Sequence, residues 1–424
     1  MRNIFRSEAS NYKNKYALDS SGILHMASMN KRYTNTFRIS VRLKEKVDPK
    51  ILQQAFQNIS PRFPTIVAGI KKGWFQYFVV PAEKIPKVKK DKKYLSTMSG
   101  SMIKNCAMQV LYKDETISVE IFHSLTDGIG GTIFVNSLVA EYLSLRYSLR
   151  VPYSDNVFNP VDEVPVEELT DGYLEYLGDK PSRAKPEYSY KIPGDDYYSN
   201  DSFVVSKDYS TKEMVELAHY YGVSLTTLLT AVMVKSIAQV QEKKKNSGKA
   251  IKIMIPVNLR NKFESKTLYN FTIYALPRIN ADKCKMEFEQ LINNLSEQLK
   301  KQFSKEHLQR EFTKNVNAQN YWWFKILPVS MKAIVLKQVY RVFGEKNASI
   351  SISNFGEVRL PDEIKKYIHS FECALTPRTH SPYNCGVISY NGRLNICFSK
   401  KGDGCGFENV FFSNADQLKN AVIN

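Results

Sequence analysis

The stretch from residue 148 to 200 limits what this chain can fold into, because it fits neither a helix interior nor a central strand. It holds Pro152, Pro160, Pro165, Pro181, Pro186 and Pro193, six of the chain's 17 prolines, mixed with acidic residues and tyrosines. Proline fixes φ and removes a backbone donor, so repeated prolines break both kinds of regular ladder. The segment is a long extended connection, and the chain on either side must build its own packed layers. The boundary falls near its end, dividing the chain into residues 1–195 and 196–424. A length of 424 residues suits two domains or one large duplicated fold.

The two halves are alike in kind. In the first, Phe37 to Leu43 is apolar at every second position, the pattern of a half-buried strand. Asp48-Pro49 supplies a cap and a first-turn proline for a helix from Ile51 to Ile59. Lys71-Lys72-Gly73 and Lys113-Asp114-Glu115 each join two strand-like runs as hairpins, and a helix spans Thr132 to Leu143. In the second half a strand covers Ser202 to Ser206, with helices over Thr211 to Tyr221 and Ser224 to about Lys243. Strands follow at Ile251 to Pro256 and Phe271 to Leu276, then one long helix from Met286 to about Lys305 and another from Val329 to Phe343. Ala348 to Ser353, Val387 to Tyr390 and Leu394 to Phe398 are strands, the last two joined by Asn391-Gly392, the strongest hairpin signal in the chain. Strand and helix alternate irregularly in both halves, which places the fold among α+β sandwiches.

Composition excludes several classes. The hydrophobic fraction of 43% is too high for a disordered chain. No run of about 18 uncharged apolar residues occurs, and Met1 to Tyr16 has no apolar core, so neither a transmembrane helix nor a signal peptide is expected. The six cysteines are scattered, without a CxxC pair or a histidine at metal-ligand spacing, so a reduced, cytoplasmic protein without a structural metal is expected. The net charge of +18 is concentrated in part in two runs, Lys84 to Lys93 and Lys243 to Lys252, which read as solvated loops. They carry no interleaved aromatic residues and no nucleic-acid motif, so solubility or steering of an anionic ligand explains them better than a nucleic acid.

One segment carries chemistry: Val119-Glu-Ile-Phe-His123-Ser-Leu-Thr-Asp127-Gly128-Ile-Gly-Gly131. A strand ends at His123, a turn follows, and a helix begins after the glycines. A histidine at a strand end projects its imidazole into a cleft while the sheet fixes its direction, as a general base requires. Asp127 sits where it can hold the turn's backbone, and Gly128 allows a conformation or close approach that a side chain would block.

This pattern resembles the HxxxDG signature of the CoA-dependent acyltransferase superfamily, which includes chloramphenicol acetyltransferase, BAHD acyltransferases, alcohol acetyltransferases and nonribosomal peptide condensation domains. Further segments resemble the family in the same order. These are Phe37 to Leu43 with Val47-Asp48-Pro49, Pro61-Arg62-Phe63-Pro64, Ile255-Pro256-Val257-Asn258-Leu259-Arg260 followed by Leu268-Tyr269-Asn270-Phe271, and Ser353-Asn354-Phe355-Gly356. The resemblance covers almost the whole chain. It implies a pseudo-dimer of two chloramphenicol-acetyltransferase-like halves with a tunnel between them. It also implies acyl-CoA as donor, an alcohol or amine as acceptor, and no metal. Carried over, His123 is the base, while Asp127 pairs with Arg260 in a structural role. Ser353 and Asn354 are oxyanion donors or else a turn serving its own backbone. Asn270 lines the channel or satisfies backbone groups. His25, in a stretch that reaches the tunnel in relatives, is weighed as a substrate contact against a surface or core histidine.

Two departures matter. The residue before His123 is Phe122, where condensation domains usually have a second histidine, and the DFGWG element of BAHD enzymes is missing. The branch similar to bacterial alcohol acetyltransferases therefore matches best. Chemistry on a carrier-protein thioester, for which an acidic acyl carrier protein would suit the +18 surface, is the rival enzyme reading. A member that only binds a ligand is the rival outside catalysis. Asn320-Tyr-Trp-Trp-Phe-Lys-Ile-Leu327 invites a membrane or lid role, but packing against the adjacent helix or lining an acyl pocket is the expectation adopted for it.

Overall fold

A computed structural model describes residues 15–30, 33–92, 94–95, 97–179, 188–193, 202–243, 248–280, 286–339, 347–377, 381–402 and 405–423. The expected boundary at residue 195, the end of the helix expected to reach Phe343, and Cys284 and His380 lie outside the described residues. In chain order the first part forms β1 (Tyr16–Ala17), α1 (Ser20–Ser28), β2 (Thr36–Leu43), α2 (Pro49–Ile59), β3 (Ala68–Lys72) and β4 (Tyr77–Pro81). It continues with β5 (Lys89–Lys90), β6 (Met108–Lys113), β7 (Thr116–Phe122) and α3 (Gly128–Tyr147). The second part forms β8 (Ser202–Ser210), α4 (Thr211–Tyr220), α5 (Leu225–Lys243), β9 (Ile251–Asn258), β10 (Thr272–Ala275) and β11 (Arg278–Ile279). Four helices follow: α6 (Phe288–Gln302), α7 (Lys305–Asn320), α8 (Trp322–Ile326) and α9 (Val329–Val339). The chain closes with β12 (Ile350–Glu357), β13 (Ile368–Leu375), β14 (Tyr383–Tyr390), β15 (Arg393–Lys401) and α10 (Phe407–Ile423).

Two large sheets organise the molecule. The first has the order β13-β2-β7-β6-β5 and the second β10-β9-β12-β14-β15-β8, with β11 also on β9. Each faces its own apolar core, one beneath α2 and α3 and one beneath α5, α6 and α10. The strand β13 comes from the C-terminal part of the chain yet pairs antiparallel with β2, Cys373 opposite Ile39. It then crosses close over β14, where a side chain at Gly386 would lie 2.4 Å from the Cys373 carbonyl oxygen. Only glycine fits there.

Local chemistry explains most elements. Asp48 caps α2 by accepting from the backbone of Lys50 at 2.8 Å, with Pro49 in the first turn. Asn391 and Gly392 both take positive φ, 48° and 77°, in the two-residue turn between β14 and β15. Several expectations change. The strand expected to be half-buried, β2, is covered on both faces. Arg38 donates to Glu120 at 3.1 Å and to Ser118 at 2.8 Å and also meets Asp91, which neutralises the polar face and lets it be buried. The single helix expected over Met286 to Lys305 ends at Gln302, and a second begins because the Ser304 hydroxyl accepts from the His307 backbone. The lysine runs are not wholly loops. Lys89 and Lys90 form the edge strand β5, and Lys252 is buried on β9 with its ammonium 3.2 Å from the Asn347 side chain. Among the described residues α3 alone is a single helix long and apolar enough to cross a membrane, and most of it is buried in the first core. The tryptophan segment does not pack as expected. Phe324 turns inward, while Trp322 is 74% exposed and Trp323 is also at the surface.

Candidate active site

His123 follows the last residue of β7, and its backbone N–H is tied to the Asn35 carbonyl at 2.7 Å. Sheet pairing therefore fixes the ring's starting point, and the ring remains half-buried. Two side chains bracket it. His25, on α1, stacks against it with ring centroids 4.4 Å apart, and Phe37, on β2, meets it edge-on at 5.2 Å. The His25 ring is itself held between the Asn35 amide and the Ser21 hydroxyl.

The second part of the chain supplies the polar partner. Nδ1 of His123 lies 3.0 Å from Oδ1 of Asn270, and the Asn270 amide nitrogen donates to Oδ2 of Asp19 at 3.2 Å. With its nitrogen turned to Asp19, Asn270 presents only an acceptor to His123. While Asp19 is a carboxylate, the imidazole proton therefore sits on Nδ1 and Nε2 keeps its lone pair. Asn270 is fully buried, so an unmet amide group would be costly, and the Asp19–Asn270–His123 chain satisfies it.

Asp19 also caps α1, its other oxygen accepting from the Ser21 and Gly22 backbone at 2.8 and 2.7 Å. A second carboxylate, Asp171, accepts from the backbone and hydroxyl of the adjacent Ser20 at 2.8 and 2.7 Å. Burial, then the neighbouring Asp171, push the Asp19 carboxyl up to about 8, against the hydrogen bonds from Gly22, Asn270 and Ser21. Burial raises Asp171 as well.

Asp127 points away from His123. One oxygen caps α3 at the backbone of Ile129 and Gly130, and the other accepts from Arg260 at 2.8 Å and from the Phe271 backbone at 2.9 Å. Arg260 completes its fork on the carbonyls of Thr267 and Tyr269 at 2.8 and 2.6 Å. This buried cluster locks the turn after β7 to residues 267–271, and so holds Asn270 opposite His123. The helix begins at Gly128 itself, four residues earlier than expected, because Asp127 caps it there. The Phe355 ring lies over Gly128 where a side chain would stand 2.8 Å from it.

Ser353 is buried on β12. Asn354 donates to the Thr226 hydroxyl at 3.2 Å and accepts from the Gly356 backbone at 2.9 Å, serving its own turn and α5. From this segment it is Phe355 that reaches Gly128. Asp19, Asn35 and Asp171 had no signal of function in the sequence, and Phe355 stood only within the Ser353-to-Gly356 segment; Asp19 before two serines is legible only as a helix cap. Among the described residues no group of three or more His, Cys, Asp or Glu is placed to hold a metal ion.

No protein-family model matches the sequence, and no curated protein is similar to it. Solved structures do match. The chain is similar to the F. sporotrichioides TRI101 complexed with Coenzyme A and T-2, with a TM-score of 0.64 and 12% identity over 96% of this chain and 97% of that one. It is also similar to polyketide synthase associated protein 5 from Mycobacterium tuberculosis, with a TM-score of 0.60 and 11% identity over 96% of this chain and 100% of that one. The epimerization domain from the third module of tyrocidine synthetase B matches with a TM-score of 0.56 and 12% identity over 96% of this chain and 98% of that one. The chain shares the fold of these three structures. Within this fold, His123 lies where the two parts of the chain meet. Thr126 donates to the Leu268 carbonyl at 2.6 Å, beside the Asp127–Arg260 pair and the His123–Asn270 bond.

Proposed function

We propose that this protein is an acyltransferase that moves an acyl group from acyl-CoA to a hydroxyl or amine, with His123 as general base. The observation that carries this reading is the bond from His123 Nδ1 to Asn270, which makes Nε2 the basic nitrogen of the ring. Nε2 accepts the acceptor's proton as its oxygen or nitrogen bonds to the thioester carbonyl carbon. When the tetrahedral intermediate collapses, the carbon–sulfur bond breaks and the proton passes from Nε2 to the departing thiolate. Asp127 and Arg260 take no proton; they hold the turn. His25 forms one wall beside the imidazole and orients it by stacking. The neighbour complexed with Coenzyme A and T-2 supports a CoA donor and a small-molecule acceptor. Alcohol O-acetyl transfer, in a cytoplasmic setting, is the form we favour.

The epimerization-domain neighbour and the charge of +18 favour, as second reading, a donor carried on an acidic acyl carrier protein. One assay separates them: thiol release from acetyl-CoA and longer acyl-CoAs with a panel of alcohols and amines, repeated with an acylated carrier protein. Acceptor-dependent release from free CoA thioesters that falls about 10²–10⁴-fold in His123→Ala fits the first reading. Release unchanged by that substitution refutes the role of His123. Turnover only with the carrier favours the second, and ligand binding without turnover points to a non-catalytic protein.

A further inference from the structure

The residues from Tyr321 to Val339 form an apolar surface that the fold does not use. On the inner side, Phe324 and Leu336 pack with Ala27 of α1. On the outer side, Tyr321, Trp322, Trp323, Ile326, Met331 and Ile334 are all exposed, Trp322 at 74%, Ile334 at 65% and Ile326 at 59%. The Tyr321 and Trp323 rings stack at 6.2 Å, so the aromatic part is ordered within itself. The β3–β4 hairpin fixes its position: Val329 donates to the Trp74 carbonyl at 2.8 Å and the Lys332 ammonium to the Phe75 carbonyl at 2.6 Å. Contiguous large apolar side chains on a surface mark a contact site.

Charge decides what the contact is. Between Glu311 and Glu345 the chain has no acidic residue, and Lys325 and Lys337 are exposed within the apolar face. Two copies of this chain would bring together two faces of the same sign, each on a molecule of net charge +18. A bilayer with anionic headgroups complements both features, because Trp and Tyr settle at the headgroup level while lysines meet the lipid phosphates. We propose that α8 and α9 form a peripheral docking face for an anionic membrane surface. The face lies one helix from the candidate base, since α1 carries Ala27 against it and His25 against His123. That proximity would let an acceptor or acyl chain dissolved in lipid reach the site, a corollary resting on the acyl-transfer reading; the docking itself does not.

The test uses the full chain with vesicles of phosphatidylcholine alone and of about three parts phosphatidylcholine to one part phosphatidylglycerol. Trp74, Trp322 and Trp323 are the chain's three tryptophans and all are exposed, two on α8 and one on the hairpin bonded to α9, so their emission reports the face. The expected result is co-sedimentation with the anionic vesicles and a blue shift in emission. Two lysines near the surface should make partitioning roughly 10–30-fold stronger than into phosphatidylcholine alone. Lys325→Glu with Lys337→Glu should remove that preference, and Trp322→Ser with Ile334→Ser should remove binding at an unchanged melting temperature. Thiol release with a soluble acceptor should be untouched in these variants, which separates docking from catalysis. Failure of the wild type to bind anionic vesicles overturns the proposal, as does binding that all variants retain. A wild-type dimer that Trp322→Ser turns into a monomer without lipid overturns it too, assigning the face to a second copy.

Discussion

At the scale of single residues, Asn270 sets the proton position on His123, and Asp19 sets Asn270. Replacing Asn270 with Ala leaves the imidazole free to adopt the other tautomer. Thiol release should fall about 10–100-fold, in kcat more than in KM, as when the partner that orients a functional imidazole is removed. The carboxylate form of Asp19 accepts from the Asn270 amide nitrogen. A proton on that oxygen would instead demand the amide oxygen, turning the nitrogen toward His123 and placing the imidazole proton on Nε2. Activity should therefore climb through about pH 8, the value to which burial and Asp171 push Asp19. Asp19→Asn should lose that limb of the profile. Stability runs the opposite way. An acid whose folded value is raised favours the folded state while protonated, so this contribution is full below the ordinary value near 3.8 and is lost as pH rises through about 8. Asp19→Asn should melt higher than the wild type at about pH 9, with the gap narrowing as pH falls and closing near 3.8. His123, Asp127 and Gly128 were legible because their pattern is local. The chain through Asn270 to Asp19 was not, because 147 and then 251 residues separate its members and only the fold joins them.

At the scale of elements, buried ion pairs fasten the connecting segments. Arg62 grips Glu168 at 2.6 and 2.7 Å and stacks on Phe158, tying the proline-rich stretch to the first core. Arg62→Met leaves the Glu168 carboxylate buried without its partner and should cost about 3–5 kcal/mol in chemical denaturation. The start of α3 is equally tight. A side chain at Gly130 would lie 2.1 Å from the Thr126 hydroxyl and 2.9 Å from the Leu268 carbonyl. Gly130→Ala should destabilise by about 1–3 kcal/mol and weaken thiol release, because the strain falls on the loop that holds Asn270. Caps and turns were readable at this scale wherever the chemistry is contained in neighbouring residues, as at Asp48-Pro49 and Asn391-Gly392. Ser304 was readable in principle as a cap, but the apolar period runs on past it and concealed the break between α6 and α7.

At the scale of the whole molecule, the α+β character followed from alternating patterns, whereas the strand order did not. Nothing in the residues of β13 says that it leaves its own part of the chain to pair with β2, since strand pairing depends on partners far apart in sequence. Trp322 and Trp323 likewise defeat pattern reading, because nothing in the neighbouring residues says that these two large rings turn outward. The placement of β13 bears on how the protein is made. The first sheet has β2, β6 and β7 once the ribosome has passed Phe122, but the strand that covers the open side of β2 ends at Leu375. During all the intervening synthesis an unpaired edge of apolar Phe37, Ile39 and Val41 remains available to other nascent chains. A gene split at the proline-rich stretch should thus yield an insoluble first fragment. Expressing both fragments together should rescue its solubility, as measured by sedimentation of the cell extract.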